Sequence, residues 1–183
     1  MLEKIQNLNP ITYEYALDIA PAGLFLEFGV GNGTSTKHLA SLTSNKIYGF
    51  DSFDGLPEDW TAEHSKGHFA CAVPTDMPSN VELVVGLFNE SLPKFLTTHR
   101  DPVGFVHIDC DLYSGTKTVL DLLNDRLLNN TIIIFDEFYG YTGWEKHEYL
   151  AFNEFLQTYN WQYKYLGGVE PHPFFRKCFK IFR

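Results

Sequence analysis

Sulfur is scarce in this chain: three cysteines and two methionines in 183 residues. Cys71, Cys110 and Cys178 lie far apart and no Cys-x-x-Cys pair occurs, which removes the common zinc frameworks and any disulfide scaffold. Read as small, buried apolar residues, they fit a reducing compartment. Basic residues are also outnumbered, 14 Lys and Arg against 23 Asp and Glu, for a net charge of −9. An acidic surface repels the phosphates of nucleic acid and of anionic lipid, so neither is an expected partner, whereas a cationic ligand is welcome. No apolar run approaches the ~20 residues that span a bilayer. The opening Met-Leu-Glu-Lys-Ile has no basic stretch leading into an apolar one, so no signal peptide is expected and the expected setting is cytoplasmic. Internal repeats and low-complexity segments are lacking as well.

What is present is an ordinary globular composition, 44% hydrophobic and 20% charged. The length favours one domain over residues 1–183. Apolar runs alternate with helix-like stretches, the mark of βαβ units and a parallel sheet. Residues 10–20 read as a leading helix. Strands are expected at 23–29, 46–50, 81–85, 103–108 and 131–135, with a closing hairpin at 161–166 and 177–182. Helices are expected at 34–42, 89–98, 114–124 (capped by Ser114) and 144–159. Residues 54–80, rich in Pro, Gly, Asp and Ser, are long for a plain connection and read as a functional loop or one carrying a short helix.

Acidic residues recur where strands end: Glu27, Asp51, Asp109, and Asp136 with Glu137. In open parallel sheets ligands bind beyond the carboxyl ends of the strands, so carboxylates from four strands converge on one edge. The first strand runs into Glu27-Phe-Gly29-Val-Gly31-Asn-Gly33-Thr-Ser35. Alternate glycines let the backbone turn sharply and approach a ligand, and the following helix offers free N–H groups. Asp51 follows Gly29 by 22 positions, where a carboxylate can accept the hydroxyls of an adenosine ribose. A dinucleotide fingerprint would place its third glycine at position 34, which is Thr34. Glu27 before the loop would repel a pyrophosphate and suits the ammonium of a methionine-like tail. Charge therefore favours S-adenosylmethionine over NAD.

Leu26-Glu-Phe-Gly-Val-Gly-Asn-Gly33, Gly49-Phe-Asp-Ser-Phe-Asp-Gly-Leu-Pro57, Gly86-Leu-Phe-Asn-Glu-Ser-Leu-Pro93 and His107-Ile-Asp-Cys-Asp-Leu-Tyr113 together resemble the macrocin O-methyltransferase-like family of class I methyltransferases, from about Gly23 to about Phe155. The resemblance implies an α/β, Rossmann-like, seven-stranded and mostly parallel sheet with helices on both faces and the last strand antiparallel. It implies S-adenosylmethionine held around Glu27, Gly29, Gly31 and Asp51, with Ser52, Phe53 and Asp109 adjoining. It implies a magnesium site that maps onto Asp109, Asp136 and Glu137. The pair Asp136-Glu137 departs from the Asp-Asp or Asp-Asn of related enzymes. The acceptor implied is a small-molecule hydroxyl on a sugar or phenolic.

An alcohol is a poor nucleophile until a base or cation draws off its proton. Asp109 and Asp111 are the candidate catalytic bases, and Asp111 a candidate fourth ligand. Oxygen donors of this kind select Mg²⁺, Ca²⁺ or Mn²⁺ over zinc. His107 shares a strand face with Asp109 and reads as a satisfied core histidine; His147 reads as solvent-facing, and Lys37 and Lys117 as solvated. Phe53, Trp60, Phe69, Phe138, Tyr139 and Tyr141 are candidates for an aromatic wall. Pro171-His-Pro-Phe-Phe175 suits either an acceptor pocket or a homodimer contact. Two other readings compete. An NAD-linked oxidoreductase could use the Tyr113-x-x-x-Lys117 spacing as a proton relay, and a non-catalytic module could bind a nucleoside without turnover.

Overall fold

A computed structural model describes residues 2–6 and 9–183. Eight strands form one sheet: β1 (Pro10–Ile11), β2 (Leu24–Phe28), β3 (Ile47–Asp51), β4 (Val81–Val85), β5 (Val103–Ile108), β6 (Leu127–Phe135), β7 (Gln162–Val169) and β8 (Lys177–Phe182). Their order is β1-β7-β8-β6-β5-β2-β3-β4. All neighbours are parallel except at β8, which runs against both β6 and β7. The helices are α1 (Leu2–Ile5), α2 (Tyr13–Asp18), α3 (Thr34–Leu42), α4 (Phe88–Thr98), α5 (Tyr113–Leu123) and α6 (Glu148–Thr158).

The central strands are largely apolar, interrupted by Glu27 and His107, because both of their faces are covered. Every residue of β2 and β5 is buried. Side chains alternate across the sheet: Leu26 and Phe28 join Phe50, Phe95, Leu120 and Phe152 on the face covered by α4, α5 and α6. Phe25 turns the other way, toward Tyr13, Leu17, Leu39 and Phe105 under α2 and α3. Phe28 stacks on Phe50 at 4.8 Å between ring centroids. Burying a side chain of this size stabilises by roughly 1.5–3 kcal/mol.

The structure corrects several expectations. The sheet has eight strands, not seven. The extra one is β1, carved from the expected leading helix: Pro10 and Ile11 pair with Gly168 and Val169. The helix begins only after Thr12, whose hydroxyl accepts the Tyr15 N–H at 3.1 Å. The expected helix 144–159 is broken at His147 (φ −112°, ψ −123°) into a 3₁₀ turn, Trp144–Lys146, and α6. Ser114 is not the cap of α5, which starts at Tyr113; its hydroxyl donates to Glu58 instead. Residues 54–80 carry neither helix nor strand. They fold back on themselves through Leu56 N–H to His68 C=O (2.9 Å) and Gly67 N–H to Leu56 C=O (2.8 Å). No helix among the described residues is long and apolar enough to cross a membrane.

Candidate active site

Backbone hydrogen bonds bring the strand ends level. Gly29 N–H donates to Phe50 C=O, Asp109 N–H to Phe28 C=O and Asp136 N–H to Ile108 C=O, each at 2.8–2.9 Å. Beyond this edge lies a cavity of about 1100 Å³. Its walls include Gly29, Val30, Gly31, Asn32, Asp51, Ser52, Asp109, Asp111 and Glu137, with Trp60 and Phe69 from the long loop and Pro171, His172 and Arg176 from the final hairpin. Of the strand-end acids, Asp51, Asp109 and Glu137 border this cavity with the glycine loop, whereas Glu27 and Asp136 are not in its lining.

Gly29 has φ +94°, and a Cβ there would sit 1.7 Å from the Asp109 carbonyl oxygen. The glycine lets the loop pass against the end of β5. At Gly31 (φ +51°) a Cβ would meet nothing within 4 Å, and the residue borders the cavity. Asp51 holds this loop in place. Its Oδ2 accepts the Val30 and Gly31 N–H groups at 2.8 Å each, and its Oδ1 accepts the Phe53 N–H at 2.8 Å. Phe53 itself is buried beneath the rim and does not line the cavity.

Glu27 is fully buried and does not line the cavity either. Its Oε1 lies 3.0 Å from His107 Nδ1. His107 is a satisfied core histidine, as its position suggested: Nε2 lies 3.1 Å from the Tyr13 hydroxyl and 3.4 Å from Asp136 Oδ1. Burial alone would lower the imidazolium pKa, but Asp136 and Glu27 hold it up at about 10. Asp136 is in turn ion-paired with Arg176, whose guanidinium lies over the Tyr13 ring. Burial opposes ionisation of Asp136, yet His107 and Arg176 keep its pKa well below the usual carboxylate range.

The expected metal set is therefore divided. Asp109, Asp111 and Glu137 offer ligand atoms within 4.8 Å of one another; Asp136 groups instead with His107 and Asp109. Burial, then the charge of Asp136, raises Asp111 to about 7 and Glu137 to about 11. Asp109 is raised by the same two causes, with His107 opposing. Glu137 Oε2 has no hydrogen-bond partner among the described residues. Asp111 also has φ +61°, a left-handed conformation uncommon outside glycine, and such strain concentrates at functional sites.

Other expectations sort differently. Of the aromatic candidates, Trp60 and Phe69 line the cavity; Phe138 is core, and Tyr139 and Tyr141 lie outside the lining. His147 is not solvent-facing: it is half-buried against Trp60 and Tyr141, and burial lowers its pKa. Lys37 pairs with Asp76 and Lys117 with Asp121. Cys178 is buried, whereas Cys71 and Cys110 are half-buried. Tyr113 donates to Glu154 at 2.7 Å, and neither it nor Lys117 reaches the cavity, so no relay of the oxidoreductase kind is assembled. Sequence reasoning missed Tyr13, Arg176 and Glu148. They come from the chain's flanks and a helix start, with no motif to mark them.

A doubly wound sheet whose first glycine turn opens onto a cavity ringed by strand-end carboxylates is the architecture of class I methyltransferases. Residues 26–138, more than half of the chain, match a family described as a methyltransferase domain, and the chain belongs to that family. Among solved structures, it is similar to the calicheamicin methyltransferase CalS11 at 25% identity and a TM-score of 0.72, over 92% of this chain and 75% of that one. The O-methyltransferase NovP matches at 18% identity and TM-score 0.65, over 100% and 79%. MycE, from the mycinamycin biosynthetic pathway and in complex with Mg and SAH, matches at 13% identity and TM-score 0.59, over 93% and 48%. No curated protein matches in sequence. Neither an NAD-linked oxidoreductase nor a non-catalytic module finds support in these likenesses.

Proposed function

We propose that this protein is an S-adenosylmethionine-dependent O-methyltransferase of a small-molecule hydroxyl, assisted by a divalent cation such as Mg²⁺, and that residues 1–183 act as one cytoplasmic domain. One observation carries the reading: the glycine loop, Asp51 and the Asp109–Asp111–Glu137 group open onto the same cavity. The residues fit both groups. Gly31 leaves open space at the rim, and the cavity volume exceeds the ~300–1,000 Å³ of ordinary ligand sites, leaving room for donor and acceptor together. Three hard oxygen donors within 4.8 Å, one of them with an orphaned oxygen, suit Mg²⁺ or Mn²⁺. MycE was solved with Mg and SAH, and CalS11 is described as a TDP-rhamnose 3′-O-methyltransferase. A sugar hydroxyl is accordingly the first acceptor to test, and a phenolic the second.

S-adenosylmethionine would supply a methyl group already activated by its sulfonium. The chain's own work is positioning and proton removal. Gly29, Gly31 and Ser52 form the floor of the donor site; Asp51 fixes the loop, braced by the Phe53 N–H, while Glu27 holds His107 in the core behind it. Asp109 and Asp111 border the cavity beside the acceptor and are the groups that take the hydroxyl proton. Asp109, Asp111 and Glu137 would hold the cation, while Asp136 stays paired with His107 and Arg176 beside them. Free cysteines support the cytoplasmic setting. Phe174 and Phe175, 46% and 39% exposed, are the proposed surface for a homodimer contact.

The test is a radiolabelled methyl-transfer screen over nucleotide sugars, free sugars and phenolics, with Mg²⁺ or with EDTA. Transfer to a hydroxyl that EDTA abolishes is the expected result. Transfer to nitrogen or carbon acceptors alone would overturn the reading.

A further inference from the structure

Glu148 opens α6 and is turned inward. It is fully buried, and neither carboxylate oxygen has a hydrogen-bond partner among the described residues. An acid in the first turn of a helix ordinarily faces water, where it complements the dipole. Here the break at His147 swings it into the fold. Its electrostatic neighbours are Asp111, Asp109 and Asp136, with His107 opposing them. Glu137 feels its charge as well. His107 is already engaged by Glu27 and Asp136, and Arg176 by Asp136. Six acids, Glu27, Asp109, Asp111, Asp136, Glu137 and Glu148, thus surround two bases. Carboxyls crowded this way hold their protons unless a cation joins them, and Glu148, fully buried with neither oxygen partnered, is the member of the group least provided for.

We propose that Glu148 is a further carboxylate of the divalent-cation site, reaching from α6 through a bridging water to the ion held by Asp109, Asp111 and Glu137. The inference rests on the cation assigned to this site above. Glu148 falls outside the two groups whose ligand atoms lie within 4.8 Å, which argues against direct ligation, so the role assigned to it is that of an outer partner. Outer partners orient the direct ligands, and their loss typically weakens metal binding ~10–100-fold.

The experiment is titration calorimetry of the full chain with MnCl₂, wild type against E148Q, paired with S-adenosylhomocysteine titrations in EDTA. Mn²⁺ affinity is expected to fall ~10-fold or more in E148Q, with S-adenosylhomocysteine affinity unchanged. Equal Mn²⁺ affinity in the two proteins overturns the inference, as does a parallel loss of both ligands, which marks a purely structural residue. A second measurement needs no glutamine variant: in wild-type protein carrying ¹³C-carboxylate glutamate, Mn²⁺ should broaden the Glu148 resonance, assigned through E148D. An undisturbed resonance overturns the inference. Cation binding that depends on Glu148 without methyl transfer to any hydroxyl sinks the proposed function and leaves this inference standing. A wild-type protein that binds no Mn²⁺ sinks this inference whatever its transferase activity.

Discussion

At Gly29 and Gly31 the same side chain is missing for different reasons. A methyl group on Gly29 would collide with backbone of β5, so Gly29→Ala should destabilise the fold by more than about 2 kcal/mol, read as a lowered melting temperature. At Gly31 the added methyl enters open space, with a left-handed backbone cost of roughly 1 kcal/mol. Gly31→Ala should therefore melt close to wild type while binding S-adenosylhomocysteine about tenfold more weakly. Asp111→Asn keeps the shape but not the base. It should lower kcat by ~10²-fold or more while S-adenosylhomocysteine affinity in EDTA stays within about twofold; an unchanged kcat would remove Asp111 from the proton path. The loop glycines and Asp51 were legible because their spacing encodes backbone geometry that few other residues permit. The pairing of Asp136 with Arg176 was not. Forty positions separate them, and only the antiparallel return of β8 brings them together.

Elements buried on both faces announce themselves as mostly apolar runs, which is why β2, β5 and most of β6 were readable despite Glu27 and His107. Short or tertiary-driven features were not. Two residues, Pro10 and Ile11, carry no periodicity, yet their register with β7 makes an eighth strand. No local breaker such as proline or glycine stands at 147 to signal the break before α6. Thr12 is the compensating signal at α2, and Thr12→Ala should cost about 1 kcal/mol through the lost cap, measurable by chemical denaturation. Tyr113 lies on α5 with its hydroxyl on Glu154 of α6. Tyr113→Phe should leave methyl transfer within about twofold of wild type, whereas a relay residue would lose most activity.

For the molecule as a whole, the site's charges set the response to pH. Glu137, Asp111 and His107 have folded pKa values of about 11, 7 and 10, each above its unfolded value. Over pH 6–9 the native state therefore holds more protons than the unfolded chain, and stability falls as pH rises. Asp136 and Lys177 are shifted the opposite way: the contribution of Asp136 disappears only in acid, below this window, and Lys177, lowered to about 8 by burial, offsets part of the fall above pH 8. In EDTA, calorimetric stability should drop on the order of 2 kcal/mol or more from pH 6 to pH 9. Saturating Mg²⁺ should flatten that slope; a slope equally steep with and without the ion would count against a cation at the site.

Arg176 precedes β8 directly and is the guanidinium that answers Asp136. The final hairpin is for that reason more than a border to the sheet. Removing the last eight residues would take Arg176 away, strip a half-buried aspartate of its counter-charge and open one wall of the cavity together, so damage that reaches Arg176 should register as lost ligand affinity even where the central strands survive.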